Sequence, residues 1–270
     1  MLPTAIRFSK LEALGNDFML IDARTYPCEP SRDQIRTLAD RRYGIGFDQL
    51  LLLKPSDDNG HDLRVDIFNA DASQAEQCGN GLRALALWLD RRDQLGESTT
   101  ILTLAGVSKL RYTDNGQYAA DLPGLRFDEI PASLDLPHGT LDVQFIRLGN
   151  PHLVLQWPQP PSPEDLHSVV EQIEAQPGWH NHCNISLAFV RLVDSAASID
   201  LRVHERGAGP TPACGSAACA TAAMMIQRGL VESPASVIQP GGAVVVNYSV
   251  DRNSTELIGP AREIYEGRIA

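Results

Sequence analysis

The chain has 270 residues, 43% hydrophobic and 21% charged, and is long enough to bury one large core or two of ordinary size. Its formal net charge of -11 argues against a nucleic-acid-binding surface, because neutralising phosphates requires clustered Lys and Arg. The N-terminal residues lack a long apolar run and a cleavage site, and no apolar stretch reaches the roughly 18 residues of a membrane span, so we expect a cytoplasmic globular protein.

The first half of the chain predicts strands and two helices. An amphipathic helix is expected over residues 31–41, with Ser31 as its N-cap. Residues 82–89 are apolar around most of a helical circumference, which indicates a buried helix. Apolar, β-branched or alternating stretches predict strands at residues 18–22, 49–53, 63–68 and 100–104.

The second half predicts the same kinds of element. A Pro-rich surface connection over residues 157–163 leads into an amphipathic helix at 162–173, with Ser162 as its N-cap, and a buried helix is expected at 218–226. We place the boundary between the halves near residues 122–124. Strands are predicted at residues 145–147, 153–156, 185–192, 198–203 and 243–248.

An internal duplication relates the two halves. The segment around Cys78 has a counterpart around Cys214, so that the two Cys-Gly pairs superpose, and Tyr112 matches Tyr248 at the same offset. Further upstream, residues 14–18 match residues 148–152. The sequence therefore predicts two homologous lobes, each with strands around one buried helix.

The five cysteines are an odd number in a chain without an export signal, so we expect free thiols. His180, His182 and Cys183 lie close together, but the second ligand pair of a zinc site is missing, so no metal is expected. The chain has only Lys10, Lys54 and Lys109, none in a setting that indicates a Schiff base. The sequence therefore predicts an activity without pyridoxal phosphate or another cofactor.

Cys78 and Cys214 each precede a predicted buried helix. Unpaired N–H groups and the helix dipole stabilise negative charge there, which predicts thiol pKa values pulled from about 8.5 toward neutrality. The glycine after each cysteine lets a ligand carboxylate approach the N–H groups of both helix ends. A pseudo-two-fold arrangement would set one thiol on each face of the bound carbon, which is the geometry that stereoinversion requires.

A structural alternative exists for each cysteine, because free Cys is among the most buried residue types. We keep that alternative for Cys28, Cys183 and Cys219, which have no counterpart in the duplication. Two cysteines at equivalent points, each followed by glycine at a helix entrance, favour a functional role for Cys78 and Cys214.

A series of motifs extends in order over nearly the whole chain. The motifs are residues 14–18 (LGNDF), 44–49 (GIGFDQ), 68–71 (FNAD), 78–81 (CGNG), 149–152 (GNPH), 205–209 (ERGAG), 213–216 (ACGS) and 259–261 (GPA). Together they resemble the diaminopimelate epimerase family. The resemblance implies an α/β (α+β) fold of two related lobes, each a rolled mixed β-sheet around a central helix, with pseudo-two-fold symmetry.

The resemblance also implies an organisation. The N-terminal lobe would be residues 1–122, the C-terminal lobe residues 123–260, and residues 261–270 a tail returning to the first lobe, with the active site in the cleft between the lobes. The expected partner is a small amino-acid substrate, and many members of the family are homodimers. The implied reaction interconverts LL- and meso-diaminopimelate, a precursor of lysine and peptidoglycan.

The resemblance assigns roles to individual residues. Cys78 and Cys214 match the two catalytic thiols, and His152 and Glu205 match a polar pair that supports proton transfer. A diamino diacid carries a second carboxylate and ammonium, for which Arg206 and asparagine side chains with an acid are suited. The implied substrate-binding residues are Asn16, Gln49, Asn69, Gly79, Asn80, Asn150, Asn184, Glu205, Arg206, Gly215 and Ser216.

Several positions depart from the family pattern, and the alternatives follow from them. Pro210 and Pro212 lie just before Cys214, and prolines remove backbone donors and stiffen the chain. The other departures are Ala217, Ala72 and the pair Glu12-Ala13. These departures would change the part of the pocket that binds the substrate side chain. The alternatives are therefore a racemase of another amino acid, such as histidine, or a non-catalytic amino-acid-binding protein.

Overall fold

The computed structural model describes residues 6–25, 27–56, 60–128, 133–136, 139–176, 183–193 and 196–269. The chain forms two compact units, the first made of Met1–Asp121 with Gly259–Ala270 and the second of Leu122–Ile258. None of the four helices in the described ranges has the length and apolarity needed to cross a membrane. The architecture is mixed α/β, which confirms the predicted fold class.

The first unit is built on strands that surround a buried helix. Its elements in chain order are β1 (Ile6–Ala13), β2 (Asn16–Asp22), α1 (Arg32–Ala39), β3 (Gln49–Pro55), β4 (Leu63–Asn69), β5 (Gln74–Ala75), α2 (Gly79–Asp90), β6 (Thr99–Thr103), β7 (Gly106–Tyr112) and β8 (Tyr118–Leu122). Strands β2 and β3 are parallel, as are β4 and β6, and the pairs β1–β2, β3–β4, β6–β7 and β7–β8 are antiparallel.

The second unit begins with two additional short strands and then repeats this order from its third strand onward. Its elements are β9 (Arg126–Phe127), β10 (Ser133–Leu136), β11 (Gly139–Leu148), β12 (Asn150–Gln156), α3 (Pro163–Glu174), β13 (Asn184–Val193), β14 (Ala196–Glu205), β15 (Gly209–Thr211), α4 (Gly215–Gln227), β16 (Ala235–Gln239), β17 (Gly242–Ser249) and β18 (Ser254–Gly259). The parallel pairs are β12–β13 and β14–β16, at the positions that β2–β3 and β4–β6 hold in the first unit. The duplication seen in the sequence is therefore also a duplication of strand pairing.

Each sheet curls around its central helix. Helix α4 packs against β11, β12, β13, β14, β16 and β17, which are strands from both ends of the sheet. Helix α2 packs against β1, β2 and β7 and against β19 (Arg262–Ile269), which pairs with β1 in antiparallel register. Residues 79–89 of α2 are all buried, as sequence apolarity predicted for this helix.

The predicted helices are confirmed, with small differences at their ends. Ser31 and Ser162 are the N-caps of α1 and α3, and each forms a capping box. The buried helices begin three residues earlier than predicted, at Gly79 and Gly215, because apolar periodicity does not register their glycine and polar first turns.

The strand predictions are confirmed but incomplete. All nine predicted strands occur, with ends shifted by a few residues, and the strand predicted to reach residue 104 ends at Thr103. Strand β1 was missed because its buried positions include Ser9 and Lys10, which hide the apolar alternation. In the connection at residues 157–163, Trp157 is buried in the core under α3 and is not part of the surface.

Candidate active site

The candidate site residues of each unit lie at one edge of its sheet. Asn16 and Gln49 begin the parallel strands β2 and β3, and Asn69 ends the antiparallel strand β4. Strand direction alone brings these three positions together, because parallel strands start at the edge where an antiparallel neighbour ends. In the second unit, Asn150 and Asn184 begin β12 and β13.

Cys78 is the N-cap residue of α2. Its backbone is extended, and its Sγ accepts a hydrogen bond from the Gly81 N–H at 3.3 Å. Gly81 is a close-packing position, since a Cβ there would lie 3.2 Å from Leu51 Cδ2 and 3.3 Å from Phe18 Cε1. The half-buried thiol therefore faces a backbone donor that favours negative charge on sulfur.

Amide side chains surround Cys78. Its thiol donates to Asn16 Oδ1 at 3.8 Å, and Asn80 Nδ2 donates to the same oxygen at 3.5 Å. The fully buried Arg83 donates to Asn80 Oδ1 at 2.6 Å and to the Pro260 carbonyl at 3.0 Å. The buried guanidinium of Arg83 thus fixes the orientation of the Asn80 amide.

Gln49 and Asn69 form a pair on the neighbouring strands. Gln49 Nε2 donates to Asn69 Oδ1 at 2.9 Å, and Asn69 Nδ2 donates to Ser73 Oγ at 2.9 Å. The structure therefore brings together the predicted residues of the first unit as two groups, one at the thiol and one on β3 and β4.

Cys214 is the N-cap residue of α4, but its surroundings differ from those of Cys78. Its thiol donates to Glu205 Oε2 at 3.2 Å and lies 3.5 Å from Ser216 Oγ. Its backbone N–H donates to Gln239 Oε1 at 2.8 Å, and Thr211 Oγ1 donates to Glu205 Oε1 at 2.6 Å. A carboxylate is therefore the nearest proton acceptor for this thiol.

The predicted lowering of the thiol pKa is wrong for Cys214. Burial and the charge of Glu205 raise the pKa of Cys214 well above its usual range, while the Ser216 hydroxyl and the Ala217 N–H lower it by less. The thiol is 5% exposed, so the cost of desolvating a thiolate exceeds what the helix end returns. Cys214 is therefore a neutral thiol at neutral pH.

His152 and Asn184 are register partners on β12 and β13. Burial lowers the pKa of His152 to about 3, so the imidazole is neutral at physiological pH. Neither of its nitrogens has a hydrogen-bond partner among the described residues. Asn184 Oδ1 accepts the Arg206 N–H at 2.9 Å, and the Arg206 side chain is exposed.

The sequence missed several residues that hold the site. Gln239 and Thr211 carry no motif, since they act on Cys214 and Glu205 through contacts across the fold. Asp48 lies within the 44–49 motif, but nothing local indicated that it would contact Asn16. In the part of the chain that the structure describes, no three His, Cys, Asp or Glu side chains are grouped as metal ligands, and His180 and His182 lie outside that part.

The buried His152 predicts acid-sensitive stability. Its pKa is about 3 in the folded protein and about 6.5 when unfolded, so between these values only the unfolded chain takes up the proton. We expect the contribution of His152 to the free energy of unfolding to be fully present above pH 7. At pH 3.5, protonation of His152 in the unfolded chain should lower the free energy of unfolding by about 4 kcal/mol. In urea unfolding at pH 7, 5 and 4, the free energy of unfolding of His152→Leu should fall less steeply with decreasing pH than that of the wild type. His167→Gln, at an exposed histidine, should show the same pH dependence as the wild type. Equal slopes in all three proteins would contradict the assignment.

Comparison with known proteins identifies similar sequences over almost the whole chain. The family model of diaminopimelate epimerase matches residues 8–123 and 144–264. The diaminopimelate epimerase of Alkalilimnicola ehrlichii is 38% identical over 278 aligned positions, covering 98% of this chain and 98% of that protein. The diaminopimelate epimerase of Thioalkalivibrio sulfidiphilus is 37% identical over 278 positions, covering 98% and 99%.

Solved structures share the fold at low sequence identity. A hydroxyproline epimerase from Agrobacterium vitis has a TM-score of 0.71 and 13% identity, covering 99% of this chain and 91% of that one. A PhzF-family phenazine biosynthesis protein from Bacillus anthracis has a TM-score of 0.70 and 17% identity, covering 99% and 100%. At such identities the similarity concerns the fold alone.

Proposed function

The chain belongs to the diaminopimelate epimerase family, as its motifs indicated, and from that premise we propose that it interconverts LL- and meso-diaminopimelate by proton transfer between two cysteines. It is accordingly an isomerase. In the proposal, Cys78 is the base and Cys214 the acid in one direction, the roles exchange in the other, and each thiol serves one face of the α-carbon. No pyridoxal phosphate or other cofactor takes part.

One observation carries the proposal. Each unit has a cysteine as the N-cap of its buried central helix, but the two thiols have different proton environments. Both sulfurs accept a backbone N–H, but the Cys78 thiol donates to the neutral amide oxygen of Asn16, whereas the Cys214 thiol donates to the Glu205 carboxylate. A stereoinversion by two bases needs one sulfur ready to accept a proton and another ready to donate one.

The proposed reaction consists of two proton transfers, one at each face of the α-carbon. A Cys78 thiolate removes the α-proton, and the electron pair of the broken C–H bond moves into the substrate carboxylate. The Cys214 thiol then delivers its proton to the opposite face of the carbon. The forward reaction thus leaves Cys78 as a thiol and Cys214 as a thiolate, which is the state that the reverse reaction needs. From the resting enzyme that state is reached when Cys214 passes its proton to Glu205, at hydrogen-bond distance, and Cys78 takes up a proton from solvent.

The α-proton of an amino acid is a weak acid, so the developing charge on the carboxylate needs strong stabilisation. The first N–H groups of a helix have no partner within it and, with the helix dipole, favour an anion. We assign this role to Gly79, Asn80, Gly215 and Ser216, which form the first turns of α2 and α4. Fixed dipoles of this kind are worth more where water is excluded.

The rest of the substrate needs charged and amide groups. Arg206 has an exposed guanidinium that suits the distal carboxylate, since Arg binds carboxylates in a two-point geometry. The amide side chains of Asn16, Gln49, Asn69, Asn150 and Asn184 are assigned to the ammonium groups and backbone of the substrate.

The departures from the family pattern do not disturb the thiol. Pro210 is exposed on β15 opposite His204, and the Pro212 carbonyl accepts the Gly241 N–H at 2.8 Å. Neither proline withholds a donor from Cys214, whose own N–H is bound by Gln239. The two prolines therefore leave the hydrogen bonds of Cys214 intact.

The decisive experiment is incubation of the purified protein with LL-diaminopimelate in deuterated water. We expect meso product carrying one α-deuterium, because proton removal and delivery use different, solvent-exchanged thiols. L-Histidine, run in parallel, tests the alternative racemase. Binding of LL-diaminopimelate without α-deuterium would identify an amino-acid-binding protein and contradict the proposal.

The proposal also covers the cellular location and the oligomeric state of the enzyme. We propose a cytoplasmic homodimer, in keeping with a biosynthetic step that supplies precursors of lysine and peptidoglycan. The family pattern supports assembly, as do the exposed apolar side chains of Ile264 and Tyr265 on β19.

A further inference from the structure

Two aspartates and an arginine form a charged group behind Asn16, which we call the aspartate clasp: Asp17, Arg41 and Asp48. Arg41 binds both oxygens of Asp17, at 2.9 and 2.8 Å, and Asp48 Oδ1 at 2.7 Å. The aspartates also bind each other's backbone, since the Asp17 N–H donates to Asp48 Oδ2 at 3.1 Å and the Asp48 N–H to Asp17 Oδ1 at 2.9 Å. The clasp thus joins the start of β2 to the residue before β3.

The Asp17 carboxylate of the clasp is ionised. Burial alone would raise the pKa of Asp17, but hydrogen bonds and charge from Arg41 and Lys10 lower it to about 2. Lys10 Nζ lies 2.6 Å from Asp17 Oδ2. The Asp17 carboxylate is therefore bound by two cations, Arg41 within the clasp and Lys10 beside it.

The clasp fixes the orientation of the Asn16 amide. Asn16 Nδ2 donates to Asp48 Oδ2 at 2.9 Å, and the same oxygen accepts the Asp17 N–H, so the amide nitrogen faces Asp48. The other end of the amide, Oδ1, is consequently directed toward Cys78 Sγ and Asn80 Nδ2. An amide rotated by 180° would present its oxygen to the Asp48 oxygens and its N–H groups to Cys78 Sγ and to the amide nitrogen of Asn80, and both hydrogen-bonded contacts of Asn16 Oδ1 would be lost.

The fold itself does not require the clasp. Phe18 pairs with Gln49 in the first unit as His152 pairs with Asn184 in the second. The residues before them, Asp17 and Asp48, therefore correspond to Pro151 and Cys183. Proline and a buried thiol cannot form such an ion pair, and yet β12 and β13 pair in the same register as β2 and β3.

We propose that Asp48 is a positioning residue, which acts on the reaction by holding the Asn16 amide with its oxygen toward Cys78. The inference rests on the proposed function, in which Asn16 contacts the substrate beside that thiol. A misplaced group near reacting atoms costs up to about 100-fold in rate. The clasp is the only described ion-pair group that contacts Asn16.

A double-mutant cycle tests the proposal through kcat/KM for LL-diaminopimelate. We expect Asp48→Ala to lower kcat/KM by about 10- to 100-fold in the wild type, but by less than about threefold in Asn16→Ala, because the amide to be held is then gone. Asp48→Asn should retain more activity than Asp48→Ala, since its Oδ1 still accepts from Asn16. Equal losses in both backgrounds would overturn the proposal.

Asp22→Ala is the matched control. Asp22 also lies on β2 and binds both Nε and Nη2 of Arg24 at 2.8 Å, but it stands at the opposite end of the strand from Asn16. We expect it to leave kcat/KM within about twofold of its parent in both backgrounds. A loss equal to that of Asp48→Ala would mean that any broken ion pair on β2 has this effect, and would overturn the proposal.

A second measurement does not depend on turnover. The side-chain amide protons of Asn16, assigned by NMR with Asn16→Ala as reference, should shift on Asp48→Ala and stay in place on Asp22→Ala. Unchanged resonances in Asp48→Ala would overturn the inference even in an active enzyme. A wild-type protein that does not convert LL-diaminopimelate would instead count against the proposed function, while the resonances still decide the role of Asp48.

Discussion

Replacing Cys214 with alanine is expected to lower kcat for epimerisation by about 10³- to 10⁴-fold, and Cys78→Ala should do the same. Neither thiol can serve both faces of one carbon, so the remaining cysteine cannot complete the inversion. The measurement is the initial rate of meso product from LL-diaminopimelate, read with α-deuterium incorporation by mass spectrometry. Residual deuterium uptake in either variant should occur without formation of the other stereoisomer.

Cys28→Ala is the control for this experiment. Cys28 is a half-buried free cysteine, and burial raises its pKa, so its loss removes a thiol without touching the proposed site. It should retain the wild-type rate. Should Cys78→Ala or Cys214→Ala remain active while inverting the substrate, the two-base mechanism would have to be abandoned.

Replacing Glu205 with glutamine is expected to lower kcat/KM by about 10²-fold or more in both reaction directions. The amide keeps the shape of the side chain and its bond from Thr211, but it cannot take the proton of Cys214. Both directions should fall by the same factor, because an enzyme does not change the equilibrium constant. Progress curves from LL- and from meso-diaminopimelate give the two values.

Glu205→Gln should make the Cys214 thiol more reactive toward alkylation even though it lowers turnover. The charge of Glu205 and its hydrogen bond raise the pKa of Cys214, so removing the charge lowers the pKa and increases the thiolate fraction. Alkylation of Cys214 by iodoacetamide at pH 8 should therefore become faster as turnover falls. The matched control is Glu263→Gln, which removes a carboxylate bound to Arg92. A Glu205→Gln enzyme with wild-type kcat/KM would exclude Glu205 from proton transfer.

Much of the local structure was predictable from the sequence because it depends on neighbouring residues. The capping serines of α1 and α3, the apolar surfaces of α2 and α4, and the N-cap position of Cys78 and Cys214 follow from short-range pattern. The duplication was also visible in the sequence, since both copies keep the Cys-Gly pair before the helix.

Strands whose patterns are masked by polar residues were not predictable in this way. Ser9 and Lys10 are buried in β1 because Trp88 Nε1 donates to Ser9 Oγ at 2.8 Å and Lys10 pairs with Asp17. Strand β19 was missed because it is mostly exposed, and its place beside β1 joins residues from the two ends of the chain. No local pattern records such a partner.

The sequence by itself determined the family, the repeated order of elements and the two cysteines at helix entrances. Only the tertiary structure decided how each thiol is poised. The same N-cap position gives each sulfur a backbone donor, but Cys214 is also buried beside the Glu205 carboxylate, so the predicted lowering of its pKa was wrong. Ionisation depends on desolvation and on charges within a few ångströms, and residues distant in the chain supply both.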